Sequence, residues 1–165
     1  MIRLGVLSDT HGYWRPEILE YFAGVGAILH AGDVGDSVIC DVLELVAPTY
    51  SVRGNVDGAL PESSFPYRRT LAFEGVRILL IHRPEDAAVE IVTNPQPYGM
   101  VIHGHTHKPR NEWLDGCLWF NPGAAGRERF GRTQDVGIGL VWIEANRIVE
   151  ARFVPLIRHD KEDVQ

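Results

Sequence analysis

With 165 residues, 45% of them hydrophobic and 23% charged, the chain is long enough to bury one core without disulfides, and its composition is that of a globular protein rather than a disordered one. A net charge of −6 removes the overall basic field that nucleic-acid binding would use, but it leaves room for a local site where bound cations attract an anion. The N-terminus has no signal-peptide apolar stretch, no run approaches the ~20 residues of a membrane span, and Cys40 and Cys117 form no CxxC pair, so a cytoplasmic location with no membrane partner is expected.

Ile2 to Ser8 is an apolar run that ends in a polar cluster, as a buried first strand does. Pro16 fits the first turn of a helix over 16–22, and a second strand follows at Ala27 to His30. A helix over 37–46, with Asp36 bonding a free backbone N–H at its start, stops before Pro48, and Thr49 to Arg53 makes a third strand. Strand, helix, strand, helix, strand is the order of parallel βαβ units.

The Pro- and Ser-bearing stretch 59–67 reads as a loop. Leu71 to Phe73 and Val76 to Ile81 are predicted strands joined at Glu74-Gly75. Residues 85–92 suit a helix, and Met100 to His103 returns to strand. Further strands are predicted at Glu112 to Leu114, Leu118 to Asn121, Ile138 to Ile143 and Ile148 to Phe153, with turns at Asp115-Gly116 and Asn146-Arg147. The fold class is α/β: two sheets with flanking helices in one domain over 1–157, followed by a charged tail over 158–165.

Polar clusters recur where apolar runs end: Asp9-Thr10-His11, Gly32 to Asp36, Gly54 to Asp57, His82, and His103 to His107. In open α/β sheets, ligands bind beyond the carboxyl ends of parallel strands, so strands running the same way would bring these clusters together. Carboxylate, imidazole and amide oxygen suit a borderline or hard divalent cation, and no thiolate is suitably placed. Glycines beside Asp33, Asn55 and His105 permit close backbone approach. Taken singly, each cluster has an ordinary structural reading as a turn, a cap or a core histidine. His105 and His107 would face one side of an extended segment, and His103 is left outside the ligand set.

In order and spacing these blocks resemble the calcineurin-like metallophosphoesterase superfamily, and specifically its small single-domain phosphodiesterase branch. The likeness rests on DxH at Asp9 and His11, GDxxD from Gly32 to Asp36, GNxD from Gly54 to Asp57, the histidine at His82, GHTH from Gly104 to His107, and an NPGS-like segment from Asn121 to Ala124. The resemblance implies a four-layer α/β/β/α sandwich of two mixed sheets. It also implies two divalent ions, with manganese the first choice and iron, zinc or nickel as alternatives. Asp9, His11, Asp33 and His107 would hold one ion, and Asp33, Asn55, His82 and His105 the other, with Asp33 shared.

The implied activity is hydrolysis of a small phosphate-ester substrate, a phosphodiester in preference, by in-line attack of a hydroxide between the ions. Phosphomonoester or nucleotide hydrolysis is the alternative within that class. Two departures stand out: Val56 replaces the histidine that protonates the leaving group in much of the superfamily, and Arg83-Pro84 follows His82 where close relatives often carry Gly-His. Asp57 is the candidate substitute donor, and Arg53, with Asn55, is a candidate contact to a phosphoryl oxygen. Arg127, Arg129 and Arg132 either reach an anionic substrate or lie in solvent. The rival from another class is a non-catalytic scaffold, because the retromer subunit of the same fold works through protein contacts. Exposed apolar surface could also build a homo-oligomer.

Overall fold

A computed structural model describes residues 1–129 and 131–156, and the expected charged tail lies outside the described residues. In chain order the elements are β1 (Ile2–Leu7), α1 (Ile18–Phe22), β2 (Ala27–His30), α2 (Val38–Glu44), β3 (Thr49–Ser51), β4 (Arg68–Phe73) and β5 (Val76–Ile81). They continue with α3 (Pro84–Thr93), β6 (Met100–Ile102), β7 (Arg110–Leu114), β8 (Cys117–Asn121), β9 (Gly137–Glu144) and β10 (Arg147–Pro155).

The strands form two mixed five-stranded sheets, β10-β9-β1-β2-β3 and β4-β5-β6-β8-β7. In the first, β1, β2 and β3 run parallel, and in the second β5, β6 and β8 do. Strands buried on both faces, such as β2 up to its terminal His30 and β6, are apolar runs, whereas the edge strand β4 alternates exposed and half-buried residues. The sheets meet face to face: Leu4, Val6, Leu29 and Val141 of the first pack on Ile78, Leu80, Ile102 and Phe120 of the second. Ile18 and Phe22 of α1 and Ile39 and Leu43 of α2 cover the outer face of the first sheet, while Ala87 of α3 and Tyr98 cover that of the second. The layers are therefore α/β/β/α. No helix among the described residues is long and apolar enough to cross a membrane, and both cysteines are buried and free.

Boundaries moved where tertiary contacts decide them. β3 ends at Ser51: the Val52 N–H still bonds the His30 carbonyl of β2, but that of Arg53 turns away to the Pro66 carbonyl. β4 begins at Arg68, earlier than its apolar residues suggest, because it pairs along the whole of β5. Asp36 does bond the start of α2, accepting from the Val38 N–H at 3.0 Å. The last hairpin turns at Ala145-Asn146, one residue earlier than predicted, with both in the left-handed region that a two-residue type I′ turn requires.

His30 is wholly buried at the end of β2. It accepts the Gly32 N–H on Nδ1 at 3.2 Å, so its proton sits on Nε2, 3.0 Å from Thr10 Oγ1. Burial is the main cause that pushes its pKa down to about 4. The folded chain therefore refuses a proton that the unfolded chain takes. This contribution to stability is complete above pH ~6.5 and is lost, by about 3 kcal/mol, as the pH falls from there towards 4. Imidazole 15N spectra should show a neutral Nε2–H ring for His30 at pH ~5.5. A ring already protonated at that pH would contradict this packing.

Candidate metal centre

Asp9 follows β1, Asp33 follows β2, Asn55 follows β3, His82 directly follows β5, and His105 and His107 follow β6. All these strands point the same way within their sheets, so the polar ends of both sheets meet along one edge of the sandwich. Asp9, His11, Asp33, His105 and His107 all have φ between 47° and 70°. Left-handed backbone is unfavourable for residues with a Cβ, and its concentration here marks a segment whose side-chain aim is fixed by surrounding contacts. The extended reading of 104–107 is thereby corrected. His105 and His107 do not share a face of a strand; each sits in its own left-handed kink, and their rings go to different partners.

One ligand atom from each of Asp9, His11, Asp33 and His107 falls within 4.8 Å of all the others. The Nε2 atoms of His11 and His107 are 3.4 Å apart, His107 Nε2 is 3.2 Å from Asp9 Oδ1, and His11 Nε2 is 3.5 Å from Asp33 Oδ2. Each carboxylate uses one oxygen on the protein and turns the other inward. Asp9 Oδ2 accepts from the Ser8 hydroxyl at 2.6 Å and the His105 N–H at 3.1 Å, while its buried Oδ1 has no hydrogen-bond partner. Asp33 Oδ1 accepts from the Val56 N–H at 3.0 Å, leaving Oδ2 to His82 and His11.

His82 completes the pattern. Its Nδ1 donates to the Ala31 carbonyl at 2.7 Å, which leaves Nε2 as a lone pair 3.3 Å from Asp33 Oδ2, buried and unpartnered. Burial would lower the His82 pKa, but Asp33 and Asp9 outweigh it and raise it. Burial would likewise raise that of Asp33, yet its contact with His82, the Val56 N–H and His11 hold the carboxyl well below the usual range. The His11 pKa is lowered, first by burial and next by the charge of Arg129. Buried polar atoms without a partner, here Asp9 Oδ1 and His82 Nε2, are costly, and an electropositive atom at their focus would satisfy them. The donor set therefore fits a divalent cation, and the Ser8, Val56 and Ala31 contacts are the outer partners that orient such ligands.

The residues expected around a second ion are gathered less tightly. The rings of His82 and His105 lie with centroids 5.2 Å apart. Asn55 is exposed and lines a shallow pocket with Arg53, Tyr67, His82 and Arg83. His103, left outside the ligand set, donates from Nδ1 to the Gly104 carbonyl at 3.0 Å and packs beside Trp119.

Two of the candidate catalytic residues have partners within the protein. Asp57 is buried and accepts three backbone N–H groups, from Val34, Gly35 and Gly54 at 2.7–3.1 Å, so it ties two ligand-bearing loops together. Arg53 donates from Nε to the Phe65 carbonyl and from Nη2 to the Leu60 carbonyl, both at 2.8 Å, and so clamps the loop after β3 while lining the pocket beside Asn55.

Sequence reasoning also passed over Ser8, which holds Asp9, and assigned no role to Asn121. Asn121 is buried, and its Nδ2 donates to the Gly104 carbonyl and to Thr106 Oγ1, fixing the histidine loop. The polar residue ending β8 was its available signal.

A family model described as the calcineurin-like phosphoesterase superfamily domain matches residues 2–145. A protein of Methanothermobacter thermautotrophicus named probable metallophosphoesterase is 34% identical over 131 residues, which cover 73% of this chain and 76% of that one. Another of that name, from Methanocaldococcus jannaschii, is 31% identical over 135 residues, covering 73% and 67%. Among solved structures, an archaeal phosphodiesterase matches with a TM-score of 0.71 at 21% identity over 93% of this chain and all of its own. Vps29 of Entamoeba histolytica in complex with Zn2+ matches with a TM-score of 0.69 at 18% identity, over 92% of this chain and 96% of its own. Both structural likenesses concern the fold.

Proposed function

This chain belongs to the calcineurin-like phosphoesterase superfamily, and we propose that it is a metal-dependent phosphodiesterase. The observation that carries the reading is the convergence of acceptor atoms from Asp9, His11, Asp33 and His107 within 4.8 Å, with Asp9 Oδ1 and His82 Nε2 lacking any partner. In this reading those four residues hold one ion and Asp33, Asn55, His82 and His105 hold a second, with Asp33 shared. Manganese is the first choice, and iron, zinc or nickel also suits the mixed nitrogen and oxygen donors. Such ions supply Lewis acidity towards phosphoryl oxygens and a water of pKa near ~7.

The protein's own part is positional. Ser8 and the His105 N–H keep Asp9 Oδ1 turned inward, and the Ala31 carbonyl selects the His82 tautomer that presents Nε2. Exposed beside His82, Asn55 carries an amide that can donate to a phosphoryl oxygen. Val56 has no proton to give, and Asp57 is engaged by three N–H groups, so neither protonates the leaving oxygen. This favours diesters and good leaving groups over alkyl monoesters.

The test is to strip the protein with chelator and titrate Mn2+ while following thermal unfolding and turnover of bis(p-nitrophenyl) phosphate against p-nitrophenyl phosphate. At about a hundred times the dissociation constant, the metal should add about 2.7 kcal/mol of stability, and the diester should turn over about tenfold faster than the monoester. Faster monoester turnover would move the assignment to a phosphomonoesterase. A thermal shift with no turnover of either would favour a metal-binding scaffold. No shift would remove the metal site.

A further inference from the structure

A cavity of about 320 Å3 opens beside the proposed metal centre, with His105 and His107 in its near wall. Lys108, Arg127, Arg129 and Arg132 line it as well. The lone carboxylate among the lining residues is Asp135, which is taken by Arg132 at 2.9 Å. Among the described residues, no carboxylate pairs with Lys108, Arg127 or Arg129. In a chain of net charge −6, this leaves three cations without a paired carboxylate among the described residues around one space next to the centre.

The arginine-bearing turn is fixed to the site rather than merely near it. The Ala125 N–H donates to the Ser8 carbonyl at 2.8 Å and the Gly126 N–H to the Asp9 carbonyl at 3.2 Å, so the chain reaches Arg127 directly from the backbone that carries Asp9. Arg15 holds the Gly126 carbonyl with Nε and Nη2, both at 3.1 Å. The Arg127 guanidinium lies over the Tyr13 ring, 4.9 Å from its centre, and among the described residues its N–H groups make no hydrogen bond.

Like charges gathered around one cavity repel each other unless an anion enters it. A terminal phosphate, with a charge of about −1.5 to −2 at neutral pH, matches both the charge and the bidentate geometry of arginine better than a single carboxylate does. Resting on the phosphodiesterase reading, we propose that the substrate carries, besides the ester that is cleaved, a second, terminal phosphate seated by Arg127, Arg129 and Lys108.

The test uses two probes that differ only in this group: thymidine 5′-(p-nitrophenyl phosphate) and its 3′-phosphorylated form. Kd is measured by calorimetry on the metal-free protein and KM on the Mn2+-loaded protein. The 3′-phosphorylated probe should have Kd and KM lower by about tenfold, and the difference should shrink with added salt. In the double variant Arg127→Gln, Arg129→Gln the ratio should fall to about one, while Arg129→Lys keeps part of it. These are exposed side chains, and the unfolding temperature checks that each variant is folded. Equal constants for the two probes in the wild type, or an unchanged ratio in the double variant, would overturn the proposal. A Kd ratio that depends on the arginines, with neither probe hydrolysed, would uphold the phosphate seat and sink only the hydrolase reading.

Discussion

Asp33→Asn is expected to lower phosphodiester turnover by about 10^3-fold or more while leaving the metal-free protein folded. Asparagine keeps the shape of the side chain. Its carbonyl oxygen can still accept the Val56 N–H that now meets Oδ1 at 3.0 Å. The amide NH2 then replaces Oδ2, placing a donor where the wild type has an acceptor 3.3 Å from His82 Nε2 and 3.5 Å from His11 Nε2. Those nitrogens gain a hydrogen-bond partner, and the focus of the site loses both a negative charge and its open valence. The stability gained on adding Mn2+ should largely disappear, because the shared ligand no longer attracts a cation. A variant that keeps turnover within tenfold of the wild type would show that this carboxylate does not organise the reaction.

Much of this was legible beforehand because it depends on local rules. The strands ending at Leu7, His30 and Ile81 are apolar runs cut off by polar residues, and a parallel arrangement carries those ends to one edge whatever the detailed packing. Ligand types were legible for the same reason: the order of Asp, His and Asn between glycines survives translation from chain to fold. The local conformation of 104–107 was not legible. Period-two alternation assumes extended backbone, whereas Gly104, whose added Cβ would lie 2.6 Å from Asp9 Oδ2, lets the chain pass against Asp9 and kink. The destinations of Asp57 and Arg53 were equally hidden. A buried carboxylate that gathers N–H groups from Val34, Gly35 and Gly54, and a guanidinium that gathers carbonyls from Leu60 and Phe65, use the same chemistry as a catalytic group. Only the path of the loops tells the two uses apart. The cation-lined cavity depends on the Gly126 N–H meeting the Asp9 carbonyl, a contact across 117 positions that no spacing rule anticipates.

Gly54→Ala should be strongly destabilising, costing about 3 kcal/mol. A methyl group there would fall well inside van der Waals contact of the Asp33 backbone nitrogen and Oδ1, and 2.8 Å from its Cγ. No side-chain rotation relieves a clash with backbone. Either the loop bearing Asn55 or the turn bearing Asp33 must move, and Asp57, which bonds the N–H groups of Gly54, Val34 and Gly35, ties the two together. Metal affinity should therefore fall together with stability, by at least tenfold, although no ligand has been changed. Gly58→Ala is the matched control four residues on: its added methyl meets nothing within 4 Å, so thermal unfolding should shift by less than the equivalent of about 0.5 kcal/mol. If both variants unfold together with the wild type, the approach of the Gly54 backbone to Asp33 is looser than this geometry requires, and the loop after β3 is not what fixes the shared carboxylate.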